Sequence, residues 1–170
     1  NKCAENGVED ITEIKVGYDG IALANSKSGP SLKLSLKEVY LALAKVIPAD
    51  PEGETVKPNP YKMWNEINPS LPAKPIVVIG PPPTSGTRDA FNELAIERGC
   101  KKFPGRKELK KANKKIYKAE CRGIREDGAY VEAGENDNLI IEKLVANPDA
   151  IGVFGYSFLD QNRDCLLYTS

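Results

Sequence analysis

Residues 76–91 have the sequence IVVIGPPPTSGTRDAF, and this segment gives the clearest indication of the fold class. Its first five residues form an unbroken apolar run, which is typical of a strand covered on both faces, so we predict a central parallel strand there. A proline-rich turn follows, and the residues after it favour a helix that ends near Gly99. The apolar positions of this helix are Ala90, Phe91, Leu94 and Ala95. Strand, turn and helix in this order indicate an α/β protein.

Strands and helices alternate over the rest of the chain as well. Short runs predict strands at 13–18, 20–25 and 150–156. Ser35 and Glu38 have the spacing of a capping box, and apolar residues continue at helical spacing as far as Ile47. A further helix is predicted after residues 135–138. We therefore expect a single α/β unit whose sheet is mostly parallel and has helices on both faces.

Residues 101–122 are strongly basic, with ten Lys or Arg side chains and only two acids. Such a bias is found in nucleic-acid-binding surfaces, but no aromatic residues suited to base stacking are interleaved with the lysines. Four residues instead form an apolar stripe that we expect to face the core, which leaves the lysines in solvent. The stripe consists of Leu109, Ala112, Ile116 and Ala119.

Composition and charge exclude several classes of function. Lys plus Arg equals Asp plus Glu at 24 each, so no overall field favours nucleic acid, and any anion must be bound locally. Histidine is absent, which removes the commonest general base and the commonest metal ligand. Catalysis by a serine–histidine or cysteine–histidine pair within this chain is therefore excluded, and we predict neither a metal site nor a cofactor.

The four cysteines lack the CxxC spacing of zinc or redox sites. Cys100 and Cys121 flank the lysine-rich segment, whose ends could meet, so these two residues are candidates for a disulfide. The alternative is that both are buried or idle thiols.

The turn from Thr84 to Arg88 has the features of an anion-binding helix start. It follows the predicted central strand, where ligands collect in α/β sheets, and the first N–H groups of a helix lack internal partners. Gly86 permits close approach of the backbone, Ser85 and Thr87 add hydroxyl donors, and Arg88 adds a guanidinium suited to tetrahedral oxyanions. The alternative is ordinary helix capping with Arg88 in solvent.

Two enzymatic interpretations of this turn fail. A nucleotide-binding loop of the GxxxxGK[ST] type needs a lysine that is absent, and Gly86 lies one residue too far from Gly80. Ser85 as a nucleophile lacks both the GxSxG context and a histidine to activate it.

Several segments together resemble the substrate-binding subunit of bacterial phosphate ABC transporters. These segments are residues 84–91, 127–138 and 150–156, with 17–21 and the helix at 34–47 in support. The resemblance implies a periplasmic-binding-protein-like (type II) lobe, in which Ser85, Gly86 and Thr87 bind inorganic phosphate. Relatives carry an Arg and an Asp just before this turn, where this chain has three prolines, and Arg88 is expected to supply the missing charge. Thr84 and Asp137 are further candidates for ligand contact.

The resemblance also implies the biological setting. It predicts a protein that is not an enzyme, a periplasmic or otherwise extracytoplasmic location, membrane permease subunits of an ABC importer as partners, and a monomer. The alternative function is an enzyme or binding module for a phosphorylated metabolite or for another oxyanion such as sulfate. Residues 1–164 are expected to form one lobe of a two-lobe protein whose N-terminal lobe is missing. Residues 165–170 depart from the family pattern and are expected to be a non-native tail.

Overall fold

A computed structural model describes residues 5–8, 10, 12 and 14–168 of the chain. Its strands, in chain order, are β1 (Ile21–Ser26), β2 (Val46–Pro48), β3 (Val56–Pro58), β4 (Val78–Gly80), β5 (Tyr130–Glu132), β6 (Ile151–Gly155) and β7 (Leu166–Tyr168). Its helices are α1 (Leu36–Leu43), α2 (Trp64–Ile67), α3 (Gly86–Phe91), α4 (Glu97–Cys100), α5 (Pro104–Ala112), α6 (Lys114–Arg122), α7 (Asp137–Ala146) and α8 (Tyr156–Gln161), with a π-helical turn, Asn92–Ile96, between α3 and α4.

The main sheet has five strands in the order β5-β4-β6-β1-β7, and β2 and β3 form a separate pair. Strand β4 pairs in parallel with β5 and with β6, whereas β1 is antiparallel to β6 and to β7. Four of the five strands thus run in one direction, which confirms the predicted mostly parallel sheet with a central parallel strand. Strand β7 comes from the segment 165–170, and the non-native origin of that segment stays a prediction.

Both faces of the sheet are buried. On β4, Val78 belongs to one apolar cluster and Ile79 to the other, because successive side chains of a strand point to opposite faces. The first cluster also contains buried residues of α1, of the helix that follows β4, and of α6. The second contains residues of α7 and α8. The predicted arrangement of helices on both faces is therefore confirmed.

Helix α1 begins as the capping box predicts. The Ser35 hydroxyl accepts from the Glu38 backbone N–H, and the Glu38 carboxylate accepts from the Ser35 N–H. The predicted continuation of the helix to Ile47 is wrong, since α1 ends at Leu43 and Ile47 lies on β2. The side chain of Asn59 donates to the carbonyl oxygens of residues 41 and 44 and so satisfies the end of the helix.

The strand predicted at 13–18 is also wrong where the structure describes it. Residue 13 lies outside the described residues, and residues 14–20 are exposed and have no regular structure. Alternation predicted a strand, yet Val16 and Tyr18 are 96% and 89% exposed because no strand of the described chain covers them. The strand predicted next to it is present as β1.

The helix after β4 contains a π-helical turn that changes which residues it buries. The Glu97 N–H donates to the carbonyl of Asn92, five residues earlier, which shifts the helical register by one residue. As a result Ile96 is buried and the predicted core residue Leu94 is 46% exposed. Gly99 does not end the helix. It lies inside α4, where a Cβ would collide with the carbonyl oxygen of Leu36, so glycine permits α1 to pack closely.

The lysine-rich segment forms two helices rather than one. Asn113 separates α5 from α6, and its side chain caps α6 by accepting from the Ile116 N–H. The predicted apolar stripe is wrong as a core-facing surface, since Leu109 is only half-buried and the other three members are exposed. Within the two helices, the buried residues are Arg106, Tyr117 and Cys121. Arg106 replaces apolar packing with hydrogen bonds to the carbonyls of residues 53 and 54 and an ion pair with Glu120.

Among the described residues, no helix combines the length and apolar character needed to cross a membrane.

Candidate anion-binding site

The turn from Thr84 to Arg88 lies at the carboxyl edge of the sheet. Strand β4 ends at Gly80. The next element in the chain is α3, and Ser85 is its N-cap. Because β5 and β6 run parallel to β4 on either side, their carboxyl ends meet at the same edge. This is where open α/β sheets bind ligands.

The backbone of the turn leaves two donors free. The Ser85 hydroxyl accepts from the Thr87 N–H at 3.2 Å, as in ordinary capping, and the Ser85 N–H donates to Pro82 O at 3.0 Å. The N–H groups of Gly86 and Arg88 have no hydrogen-bond partner among the described residues. Capping and anion binding are therefore compatible here.

Gly86 has open space in front of it. A Cβ built on this residue would meet no atom within 4 Å. Packing of the described chain does not require glycine at this position, and the residue is exposed. An anion could reach the free N–H groups from this side without displacing any side chain.

Arg88 lies beneath the turn and is only 7% exposed. Its Nη1 donates to Pro81 O at 3.1 Å, and its Cζ lies 4.0 Å from the centroid of the Tyr130 ring. The alternative that placed Arg88 in solvent is wrong. No carboxylate of the described chain forms an ion pair with Arg88, and its Nε is buried without a partner. The site therefore provides a positive charge that has no counter-ion among the described residues, and an unpaired buried guanidinium is costly.

Tyr130 is a component of the site that the sequence did not indicate. Its hydroxyl donates to Pro81 O at 2.9 Å, so Pro81 O accepts from both Tyr130 and Arg88. Burial raises the pKa of the Tyr130 hydroxyl even though the nearby Arg88 acts in the opposite direction, which keeps the hydroxyl a donor. Tyr130 opens β5 beside Val78, and that pairing is not visible in any local motif.

The loop after β5 brings a carboxylate to the turn. The Thr84 hydroxyl donates to Glu135 Oε1 at 2.8 Å. Glu135 is exposed, and sequence reasoning did not single it out as a site residue. Asp137 is directed elsewhere in this arrangement, since its Oδ2 accepts from the Gly155 N–H at 3.1 Å at the end of β6.

An open cavity of about 260 Å³ adjoins the turn. Its lining includes Arg88 and Tyr130 together with Arg125 and Glu132. Arg125 is already paired with Asp127, and its hydrogen bonds to that carboxyl group hold the Asp127 pKa well below its usual range. Arg88 is thus the guanidinium beside the turn that has no carboxylate partner among the described residues.

Neither candidate cysteine belongs to the turn. Cys100 lies at the other end of the helix that begins there, and Cys121 lies on α6. Cys100 and Cys121 are joined in a disulfide with a Cα–Cα distance of 5.5 Å. The bond connects α4 to α6 and takes no part in the candidate site. No group of three His, Cys, Asp or Glu side chains suited to a metal occurs within the described ranges.

A mostly parallel α/β unit with free N–H groups of a helix start at its carboxyl edge is typical of the lobes of solute-binding proteins. Residues 1–165 match the PBP superfamily domain, and the chain belongs to this family.

Two curated relatives align with almost the whole chain. Over 161 residues the chain is 28% identical to Protein SphX of Synechococcus elongatus, a match that covers 95% of this chain and 37% of the relative. It is 25% identical over 169 residues to the phosphate-binding protein PstS of Staphylococcus saprophyticus, which covers 97% of this chain and 39% of PstS. The chain thus spans little more than a third of the length of these relatives. The predicted resemblance to phosphate-binding proteins is confirmed.

Solved structures show the same fold. A possible phosphate binding protein from Planctomyces limnophilus superposes with a TM-score of 0.60 at 20% identity, covering 99% of this chain and 46% of that one. PstS from Borrelia burgdorferi superposes with a TM-score of 0.55 at 19% identity, covering 89% and 47%.

Proposed function

We propose that residues 1–164 form one lobe of a two-lobe solute-binding protein that captures inorganic phosphate for an ABC importer. The observation that carries the proposal is the turn at Ser85–Arg88, which presents free N–H groups next to a buried guanidinium that has no counter-ion in the described part of the chain. The names of the relatives support phosphate as the ligand. The proposal includes an extracytoplasmic location, permease subunits as partners and a monomer that binds its ligand without chemical change.

The chemistry of capture follows from the donors of the turn. The N–H groups of Gly86 and Arg88 and the hydroxyls of Ser85 and Thr87 donate to phosphate oxygens, aided by the positive end of the helix dipole. Arg88 attracts the anion from beneath and keeps the proline turn in place through Pro81 O. The second lobe supplies the remaining contacts and closes over the ligand.

Glu135 favours phosphate over sulfate in this proposal. Hydrogen phosphate carries a proton at neutral pH and can donate it in a hydrogen bond, whereas sulfate carries none. A carboxylate that Thr84 holds beside the turn accepts that proton from phosphate and repels sulfate. Glu135 thereby supplies a carboxylate in place of the aspartate that relatives carry just before the turn and that is absent from residues 81–83.

Calorimetry on the complete gene product tests the proposal. Removing a hydrogen bond to a charged ligand costs about 1.5–3 kcal/mol, so we expect Ser85→Ala and Thr87→Val each to weaken phosphate binding by at least about tenfold. Glu135→Gln is expected to weaken phosphate binding and strengthen sulfate binding, while Glu142→Gln, an exposed acid on α7, changes neither. Unchanged phosphate affinity in both turn variants would refute the assignment.

The same measurement on the 170-residue chain tests the two-lobe organisation. We expect weak binding or none, because closure needs the other lobe. Tight binding by this chain would contradict a two-lobe site.

A further inference from the structure

The lysine-rich segment carries a large local charge. Residues 101–122, which we name the basic hairpin, comprise α5, Asn113 and α6 with the residues just before them. The basic hairpin has a net charge of +8, whereas the whole chain has a net charge of zero. The remainder of the chain is therefore acidic, and the positive charge is concentrated on one element.

Half of the ten basic side chains have no carboxylate partner among the described residues. Five basic side chains are paired with carboxylates, three of them with the buried Glu97. The other five are exposed, and none has a carboxylate within ion-pair distance among the described residues. These five are Lys102, Lys107, Lys114, Lys115 and Lys118.

The basic hairpin is fixed to the rest of the lobe. The Cys100–Cys121 disulfide connects α6 to α4, and Arg122 donates to Glu97. Arg106 of α5 donates to Gly53 O and pairs with Glu120 of α6. A surface held in this way loses little backbone entropy when it binds a partner.

The residue types on the basic hairpin are those that suit an anionic lipid surface. Lysine is depleted in protein–protein interfaces, whereas each lysine near an anionic membrane adds to the attraction. Small and apolar residues are exposed among the lysines, namely Ala112, Ile116 and Ala119, as in helices that lie on a membrane surface. Phe103 and Tyr117 are buried, so neither ring is available to stack on nucleic-acid bases.

The basic hairpin is joined to the end of the helix that lies away from the anion turn. A continuous helix of fifteen residues runs from Gly86 to Cys100, a length of about 22 Å, and the disulfide connects Cys100 to α6. We propose that the basic hairpin binds the phosphate headgroups of anionic phospholipids at a membrane surface.

Vesicle sedimentation with the 170-residue chain tests this proposal. We expect binding to phosphatidylcholine vesicles that contain about 30% phosphatidylglycerol, no binding to pure phosphatidylcholine, and loss of binding at about 0.5 M salt. The triple variant Lys114→Glu, Lys115→Glu and Lys118→Glu is expected to bind at least about tenfold more weakly. The corresponding Lys→Gln variant should show a smaller loss.

A matched control tests whether the position of the lysines matters or only the net charge of the chain. The control is a triple variant with the same change in net charge at exposed positions outside the basic hairpin, Lys27→Glu, Lys33→Glu and Lys57→Glu. We expect its affinity for the vesicles to stay within about threefold of that of the original chain. Equal losses in the two charge-reversed variants would overturn the proposal. So would tighter binding to a DNA duplex than to the vesicles at equal phosphate concentration. Thermal unfolding of each variant checks that the fold is retained.

Discussion

The guanidinium of Arg88 lies over the ring of Tyr130, 4.0 Å from its centroid, and both side chains donate to Pro81 O. This contact places a buried positive charge directly under a helix start. The carbonyl oxygen and the aromatic face satisfy the guanidinium only in part. In the proposed site a bound anion pairs with the guanidinium and accepts its remaining hydrogen bonds. The stability of the ligand-free protein and its affinity for phosphate should therefore respond differently when Arg88 is replaced.

Arg88→Met is expected to have opposite effects on the two properties. Methionine fills similar space without a charge, so the ligand-free protein should be as stable as the original or more stable. Phosphate binding by the complete protein should weaken by at least about tenfold, because the counter-charge is lost. Thermal unfolding with and without phosphate measures both effects, and Arg98→Met, at an exposed position of the same helix, is the control. Unaltered phosphate affinity would show that the charge does not serve the ligand.

Gly99→Ala is expected to destabilise the lobe by about 3 kcal/mol. The added Cβ would collide with Leu36 O and with the Tyr40 side chain, so α1 would have to move away from α4. Gly86→Ala is the matched control, because a Cβ there meets nothing and the free energy of unfolding should change by less than about 1 kcal/mol. Urea unfolding of both variants decides the matter, and equal stabilities would contradict the close packing of α1 and α4.

Glu97 should make the lobe sensitive to acid. Burial alone raises the Glu97 pKa, but hydrogen bonds from Lys101, Lys110 and Arg122 outweigh it and lower the pKa from 4.5 to about 2. Because the unfolded chain takes up this proton at a higher pH than the folded chain, the stabilisation is complete above about pH 5 and is lost as the pH falls towards 2. Glu97→Gln should cost about 3 kcal/mol at pH 7, with a smaller difference at pH 3.

Urea unfolding at the two pH values measures this change, and Glu108→Gln is the control. Glu108 and its partner Lys111 are both exposed, so their ion pair contributes little. If the free energies of unfolding of the original chain and of Glu97→Gln differ by the same amount at pH 7 and at pH 3, the assigned role of Glu97 is refuted.

The disulfide is expected to contribute about 3 kcal/mol to stability, since it closes a loop with a sequence separation of 21. Cys100→Ser combined with Cys121→Ser should lower the free energy of unfolding by that amount, and a thiol reductant should do the same to the original chain. The reductant should have no effect on the double variant. Cys165→Ser, at a cysteine outside the disulfide, should change little. A double variant as stable as the original chain would show that the bond is not stabilising.

Local signals in the sequence predicted well the features that depend on neighbouring residues. The capping box at Ser35 and the apolar strand at β4 each involve groups within a few positions of one another, so the pattern contains all the necessary information. The resemblance adds the family, because several segments in a fixed order are more specific than any one motif.

Features that depend on distant residues escaped prediction. Arg106 is buried only because carbonyls about fifty residues earlier in the chain accept its hydrogen bonds. Glu135 reaches the turn because β5 and β4 pair in parallel, which brings together residues 51 positions apart. No periodicity within one helix could indicate either contact.

The π-helical turn between α3 and α4 has a consequence for insertions and deletions. It accommodates one residue more than a regular α-helix would, and successive residues of a helix differ in direction by about 100°. Because the π-helical turn absorbs that extra residue, deleting a single residue from Asn92–Ile96 would leave a regular α-helix in which Gly99 still faces α1 and Cys100 still faces Cys121. A deletion in the regular part of the helix would instead rotate the disulfide end by about 100° relative to the anion turn, so the π-helical turn is the place where the length of this helix can change without changing its contacts.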